Sequence, residues 1–308
     1  MKRILIVLAT IFVINLSSEE GHTTKLNGID IWWDSHGDQN DPTILLIMGL
    51  NSNSKVWSQQ YINGLVANDL HVIVFDNRDI GKSTWVTKEP GLITFIKYLP
   101  NFLIESFVDF IFGFIFDSEG RFNMDNPAPA KYNLSDMAMD GISILDHLGV
   151  SEAHIVGASM GGMIAQIIAS KYPDKTTSLV SLMSSSRIPK TSEISDGNQE
   201  NLRNMENIDE EGARGYGFYP RAMPRQLTAI FKAGDRSDIV KNITVPTLVL
   251  HGENDALLPV SYGRLTAELI PDSTFKVYKN MGHNLPKEVI PVLIEDIVNF
   301  YKKIDEIL

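Results

Sequence analysis

The five residues Gly157-Ala158-Ser159-Met160-Gly161 constrain this chain more than any other feature. They follow the apolar run Ala153 to Val156, which has the length and composition of a buried strand, and precede Met163 to Lys171, which reads as a helix. A serine between two glycines on a strand-to-helix bend sits on a sharp turn that only small neighbours tolerate. The bend exposes the hydroxyl and aims the next backbone N–H, that of Met160, at the same reaction centre. A bare G-x-S-x-G is short, so partners elsewhere in the chain must carry the argument.

Those partners are present. A serine hydroxyl is a poor nucleophile until a histidine takes its proton, and the resulting imidazolium needs a carboxylate to orient and stabilise it. Val245 to Gly252 is a continuous apolar strand signal that ends in Glu253-Asn254-Asp255. Thr274 to Tyr278 is another strand signal, and Met281-Gly282-His283-Asn284 follows it in a loop. Both polar groups therefore lie just past the carboxyl ends of strands, the edge where open parallel sheets build their sites. Asp255 has Glu253 as a rival, and as a bland alternative it caps the helix that begins near Pro259; its place after the strand favours it as the acid. His283 competes with His22, His36, His71, His147, His154 and His251. His154 lies inside a strand, His147 on a helix, and His251 precedes the acid on its own strand. Only His283 combines a late loop with a preceding glycine. No pair has the spacing of a zinc site, so no metal is expected.

A developing oxyanion needs two donors. The strand Thr43 to Met48 leads into Gly49-Leu50-Asn51-Ser52-Asn53-Ser54, where Gly49 lets the backbone pass close to the site and leaves the Leu50 N–H as the second donor beside that of Met160. The same small and polar residues also suit an ordinary strand-to-helix turn.

Strands and helices alternate through the rest of the chain. Two short strands lie in Thr23 to Asp34, a buried one in His71 to Phe75, and a helix in Tyr61 to Asn68. Leu134 to Leu148 carries Met137, Ile144, Leu145 and Leu148 on a helical period, with capping chemistry at Asn133 and Ser135-Asp136. Thr177 to Met183 is a strand and Pro291 to Ile304 a closing helix. Such alternation means parallel strands covered by helices. A formal charge of −11 disfavours nucleic acid as a partner, no phosphate-binding glycine loop is present, and the lack of cysteine excludes thiol chemistry.

Further segments extend the pattern: Phe75-Asp76-Asn77-Arg78-Asp79-Ile80-Gly81-Lys82-Ser83, Ala233-Gly234-Asp235-Arg236 ahead of Val245-Pro246, and Met281 to Pro286. With Met48-Gly49, Trp57, the Ser159 bend and His251 to Asp255, they resemble the α/β-hydrolase fold family over about residues 25 to 303. Within it the chain is most similar to the aclacinomycin methylesterase-like branch of the cofactor-free esterases. The resemblance implies a mostly parallel central sheet covered by helices on both faces, with helical cap or lid insertions. It implies a triad of Ser159, Asp255 and His283, in the chain order usual for that fold, with oxyanion amides from Leu50 and Met160. It also implies no cofactor and a small-molecule ester as substrate; the apolar stretch 92–116 and the aromatic residues of 187–244 suggest that this ester is hydrophobic. Many relatives place histidine before the oxyanion-loop glycine, where this chain has Met48; the backbone donor is unaffected. A perhydrolase or a C–C bond hydrolase would share the same triad, and a ligand-binding protein the same scaffold, although a pure binder has no need of all three side chains.

Three segments stand apart from the 23–308 hydrolase domain or interrupt it. Lys2-Arg3, an apolar run from Ile4 to Leu16 and polar Ser17 to Glu20 read as a secretory signal over residues 1–18, which implies export, or a membrane anchor if it stays uncleaved. Within an insertion at 88–131, Leu92 to Phe116 is almost wholly apolar. It reads either as a lid touching lipid or membrane or as a helical pair packed on the body. Residues 187–244 fall where a cap would sit, and their aromatic residues, Tyr216 and Phe218 among them, either line an acyl site or form the cap's own core.

Overall fold

The structure, a computed structural model, describes residues 21–86, 132–188 and 222–305. The expected signal at 1–18, the insertion at 88–131 and residues 189–221 of the cap region lie outside the described residues.

Eight strands form one sheet: β1 (His22–Leu26), β2 (Ile29–His36), β3 (Thr43–Ile47), β4 (His71–Phe75), β5 (Ala153–Ala158), β6 (Thr176–Leu182), β7 (Thr247–Gly252) and β8 (Thr274–Tyr278). Their spatial order is β1-β2-β4-β3-β5-β6-β7-β8. β2 runs antiparallel to both β1 and β4, and every other pairing is parallel. Among the described residues the helices are α1 (Gln59–Val66), α2 (Leu134–His147), α3 (Met160–Lys171), α4 (Ala222–Ala233), α5 (Ser237–Val240), α6 (Val260–Leu269) and α7 (Ile290–Asp305).

The strand sequences explain the layering. β3 and β4 are buried along their whole length, as apolar strands covered on both faces must be. Alternate residues then serve opposite faces. Ile44, Leu46, Val72 and Val74 pack with Tyr61 and Leu65 of α1 and with Leu293, Ile297 and Tyr301 of α7. Leu45, Ile47, Ile73 and Phe75 pack with Met137, Ile144 and Leu145 of α2 and with Ile164 and Ile168 of α3. Each fully buried Leu or Ile contributes about 1.5–3 kcal/mol relative to exposure, so both helical layers are fixed to the sheet by its pleat. α2 begins in a capping box: the Asn133 side chain accepts from the Ser135 and Asp136 N–H groups, while the Asp136 carboxylate accepts from the Asn133 N–H at 2.8 Å.

The chain order reverses at β3, which has β4 on one side and β5 on the other. Such a reversal opens a crevice at the carboxyl ends of the two strands that flank it. The loop after β3 and the bend after β5 both enter that crevice. Ion pairing ties the loop after β4 to α2: Arg78, just past β4, donates from Nε and Nη2 to the Asp140 carboxylate, each bond 2.7 Å long.

Two expectations shift in detail. α3 starts at Met160 rather than Met163, because the bend feeds straight into the helix despite Gly161 and Gly162. α5 had no sequence signal; at four residues it is too short for a hydrophobic period to register. It follows Arg236, whose buried guanidinium donates to the Ser185 carbonyl at 2.6 Å and so ties this segment to the loop after β6.

Candidate active site

Ser159 has φ 56 and ψ −121, a left-handed conformation that costs a non-glycine residue about 1–3 kcal/mol. The surroundings enforce it. The Ser159 N–H donates to the Leu182 carbonyl at 2.9 Å, and the Ser159 carbonyl accepts from Ser184 Oγ at 2.7 Å and from the Gly162 N–H at 2.9 Å. The flanking glycines are required by contact. A Cβ on Gly157 would lie 2.0 Å from the Gly161 carbonyl oxygen, and one on Gly161 would lie 2.0 Å from the Ile47 carbonyl oxygen. Strand, bend and helix therefore pack backbone against backbone, and β3 is drawn up against the bend.

His283 meets the serine. Its Nε2 is 2.9 Å from Ser159 Oγ and its Nδ1 is 2.7 Å from Asp255 Oδ2. The three side chains come from the ends of β5, β7 and β8, separated by as many as 124 positions in the chain. Asn254 laces the last two loops together, donating from its N–H to the Met281 carbonyl at 3.0 Å and from Nδ2 to the Lys279 carbonyl at 2.9 Å. Glu253, the rival acid, is exposed, whereas the His283 ring bonds to Asp255.

Asp255 is buried and every face of its carboxylate is engaged. Oδ1 accepts from the N–H groups of Leu257 at 3.0 Å and Leu258 at 2.8 Å. Those contacts precede α6, whose N-cap is Pro259, so the carboxylate does not cap that helix. Burial works to raise the Asp255 carboxyl, but hydrogen bonds from His251 and His283, the charge of His283 and the Leu258 N–H outweigh it and hold the group down at about 2. It is thus an anion at any pH near neutrality. His251 is a contact that the sequence did not reveal. Its Nε2 donates to the Leu258 carbonyl at 2.8 Å and lies 3.4 Å from Asp255 Oδ2. The other described histidines serve elsewhere: His154 stacks on Tyr301 at 3.8 Å and burial pushes its imidazole down to about 4, while His71 pairs with Thr43 Oγ1 at 3.1 Å.

The loop after β3 passes directly beside the serine. A Cβ on Gly49 would lie 3.0 Å from Ser159 Cβ and 3.5 Å from its Oγ. The next residue is Leu50. Among the described residues, neither the Leu50 N–H nor the Met160 N–H donates to a protein group. The Met160 N–H also opens α3, where the helix dipole favours negative charge. This arrangement can remove a proton from a hydroxyl.

Sheet order and site geometry define the class, and sequence comparison agrees. Residues 42–216 match the family described as alpha/beta hydrolase fold, and the chain belongs to it. More particularly, it is 24% identical to the rhodomycin D methylesterase of Streptomyces peucetius over 310 residues, covering 85% of this chain and 91% of that one. It is 26% identical over 248 residues to the 2-hydroxy-6-oxononadienedioate/2-hydroxy-6-oxononatrienedioate hydrolase of a Pseudomonas species, covering 71% of this chain and 87% of the relative. Among solved structures, the enol-lactonase from Burkholderia xenovorans superposes with a TM-score of 0.65 at 18% identity, over 91% of this chain and 100% of that one. That last likeness speaks for the fold alone.

Proposed function

We propose that this protein is a serine hydrolase that cleaves a small-molecule carboxylic ester through an acyl-enzyme. The observation that carries the reading is the unbroken chain from Asp255 Oδ2 through His283 to Ser159 Oγ, with links of 2.7 and 2.9 Å. His283 Nε2 takes the Ser159 proton as Oγ attacks the ester carbonyl carbon. The carbonyl electron pair moves onto oxygen, which the Leu50 and Met160 N–H groups receive; each such donor is worth about 3–4 kcal/mol in the transition state. His283 returns the proton to the departing alcohol oxygen as the C–O bond breaks. Water, deprotonated by the same nitrogen, then attacks the acyl carbon, and Ser159 leaves with its proton restored. Asp255 holds the imidazole in the Nδ1–H tautomer throughout. The methylesterase relative supports an ester as the substrate class.

A C–C bond hydrolase is the second reading, favoured by the Pseudomonas relative. Labelling by a fluorophosphonate probe, lost in Ser159→Ala, tests the nucleophile. Turnover of a p-nitrophenyl ester panel against a vinylogous 1,5-diketone acid then separates the two reactions. No labelling of the native protein would leave only a binding role. By the same proposal residues 1–18 direct export, and the apolar stretch 92–116 serves a hydrophobic substrate or a lipid surface. Cell fractionation tests the first. Deleting 92–116 tests the second, because equal losses on short and long acyl chains would contradict it.

A further inference from the structure

Helix α4 passes beside the loop after β3, and one of its side chains enters that loop's hydrogen bonding. Gln226 is fully buried. Its Oε1 accepts from the Asn51 N–H at 2.8 Å, and its Nε2 donates to the Arg78 carbonyl at 3.3 Å. The Asn51 N–H belongs to the Leu50–Asn51 peptide unit, whose carbonyl accepts from Ser52 Oγ at 3.1 Å. On the other side, the Met48 carbonyl accepts from Asn77 Nδ2 at 2.8 Å. The Gly49–Leu50 unit, which carries the Leu50 N–H, thus lies between two peptide units that side chains hold. Holding both neighbours confines this planar unit to rotation about its own Cα–Cα axis. A flip there would carry Leu50, whose φ is negative, into the region that side chains disfavour, so the direction of that N–H is set. Asn51 has φ 54, a left-handed conformation that asparagine tolerates better than most side-chain-bearing residues, and the Gln226 amide bonds its N–H in that conformation.

α4 is itself fixed by charge. Arg225 donates from Nε to Asp79 Oδ2 at 2.6 Å and from Nη2 to Oδ1 at 2.9 Å, and the Tyr132 hydroxyl donates to the same Oδ2 at 2.7 Å. Neighbouring residues on one helix therefore grip the loop after β4 and the loop after β3.

We propose that Gln226 is a positioning residue for the oxyanion donor Leu50, so that the seating of α4, part of the 187–244 cap region, sets the turnover step. The inference rests on reading Leu50 and Met160 as oxyanion donors. Gln226→Met keeps the length of the side chain but leaves the Asn51 N–H without its acceptor, whereas Gln226→Glu retains an acceptor oxygen and, kept neutral by burial, offers an O–H to the Arg78 carbonyl in place of Nε2. Both variants are measured on a short-chain p-nitrophenyl ester, with kcat expressed per serine titrated by a fluorophosphonate and with Tm recorded alongside. Removing a whole oxyanion donor costs about 10²–10³ in kcat. Misdirecting one in Gln226→Met is expected to cost at least about 30-fold with KM within about threefold, and Gln226→Glu is expected to stay within about fivefold of the native kcat. A purely structural role would lower Tm and the titratable fraction while leaving kcat per titrated serine in place. A smaller loss in Gln226→Met, or a larger loss in Gln226→Glu, overturns the proposal. If Gln226→Met gives no titratable serine, Gln226→Glu decides alone by the same limit. Failure of the underlying reading looks different, since the native protein itself would then give no labelled serine.

Discussion

Asp255→Asn tests the site's hydrogen bonding at the point where geometry leaves least freedom. An amide has one acceptor oxygen and one NH2 where the carboxylate has two oxygens. Two backbone donors, the Leu257 and Leu258 N–H groups at 3.0 and 2.8 Å, demand the oxygen at the Oδ1 position. Turning the amide over would break both bonds, each worth about 1 kcal/mol, and would set an NH2 against two N–H groups. The NH2 must therefore face His283 Nδ1, which now sits 2.7 Å from Oδ2. That nitrogen then has to accept, its proton moves to Nε2, and the ring donates to Ser159 Oγ instead of taking its proton. In the serine-protease template this tautomer error lowers kcat by about 10⁴, equivalent to about 5.5 kcal/mol on the barrier. The assay is kcat on a p-nitrophenyl ester, with Tm and circular dichroism to show that the fold persists. An Asp255→Asn protein that folds normally and keeps kcat within tenfold of the native value would refute the reasoning, because the carboxylate would then not be setting the tautomer.

Other outcomes follow from the same contacts. Asp255 has its carboxyl at about 2 in the folded state against an ordinary 3.8, so its contribution to stability is present above about pH 4 and is lost as the pH falls through 2. That shift is worth about 2 kcal/mol; urea midpoints measured from pH 5 to pH 2 should fall less steeply in Asp255→Asn, and parallel curves would contradict the assignment. The Arg78–Asp140 pair has side-chain exposures of 9% and 1%, so Asp140→Ala alone should cost about 3–5 kcal/mol and lower Tm by about 10 °C. The double variant Arg78→Met/Asp140→Leu should recover most of that loss, and additive losses would show that the two charges do not depend on each other. In Gly161→Ala the new methyl would lie 2.0 Å from the Ile47 carbonyl oxygen and 2.8 Å from that of Met48, so β3 and its loop must move. Stability should drop by more than the ~1–3 kcal/mol of ordinary overpacking, and ester turnover should drop with it; a native Tm would show that the bend tolerates a side chain.

The sequence carried what is local or strictly patterned. Ser159 between glycines, the acid after an apolar strand and the late-loop His283 each had a signal within a few residues. The strands of continuous Ile, Val and Leu were legible because burial on both faces leaves no room for polar alternation. What escaped is what no local pattern encodes. The Gln226–Asn51 bond spans 175 positions and the Arg78–Asp140 pair spans 62, and neither end of either contact looks unusual in its own neighbourhood. His251 read as a strand residue, which it is; that its ring also approaches the acid depends on how the chain turns back between Gly252 and Leu258. The start of α3 at Met160 is hidden in the sequence because glycines weaken helices on average, whereas here close backbone packing requires Gly161.

Among the described residues β8 lies at the rim of the sheet, hydrogen-bonded to β7 alone, and its side chains are mostly exposed or half-buried. Rim strands open at lower cost than central ones, and the imidazole sits on the loop that this strand carries. Gentle warming should therefore silence the protein before the rest of the sheet melts, and cooling should revive it. Inactivation would then report the fraying of one border rather than the collapse of the whole.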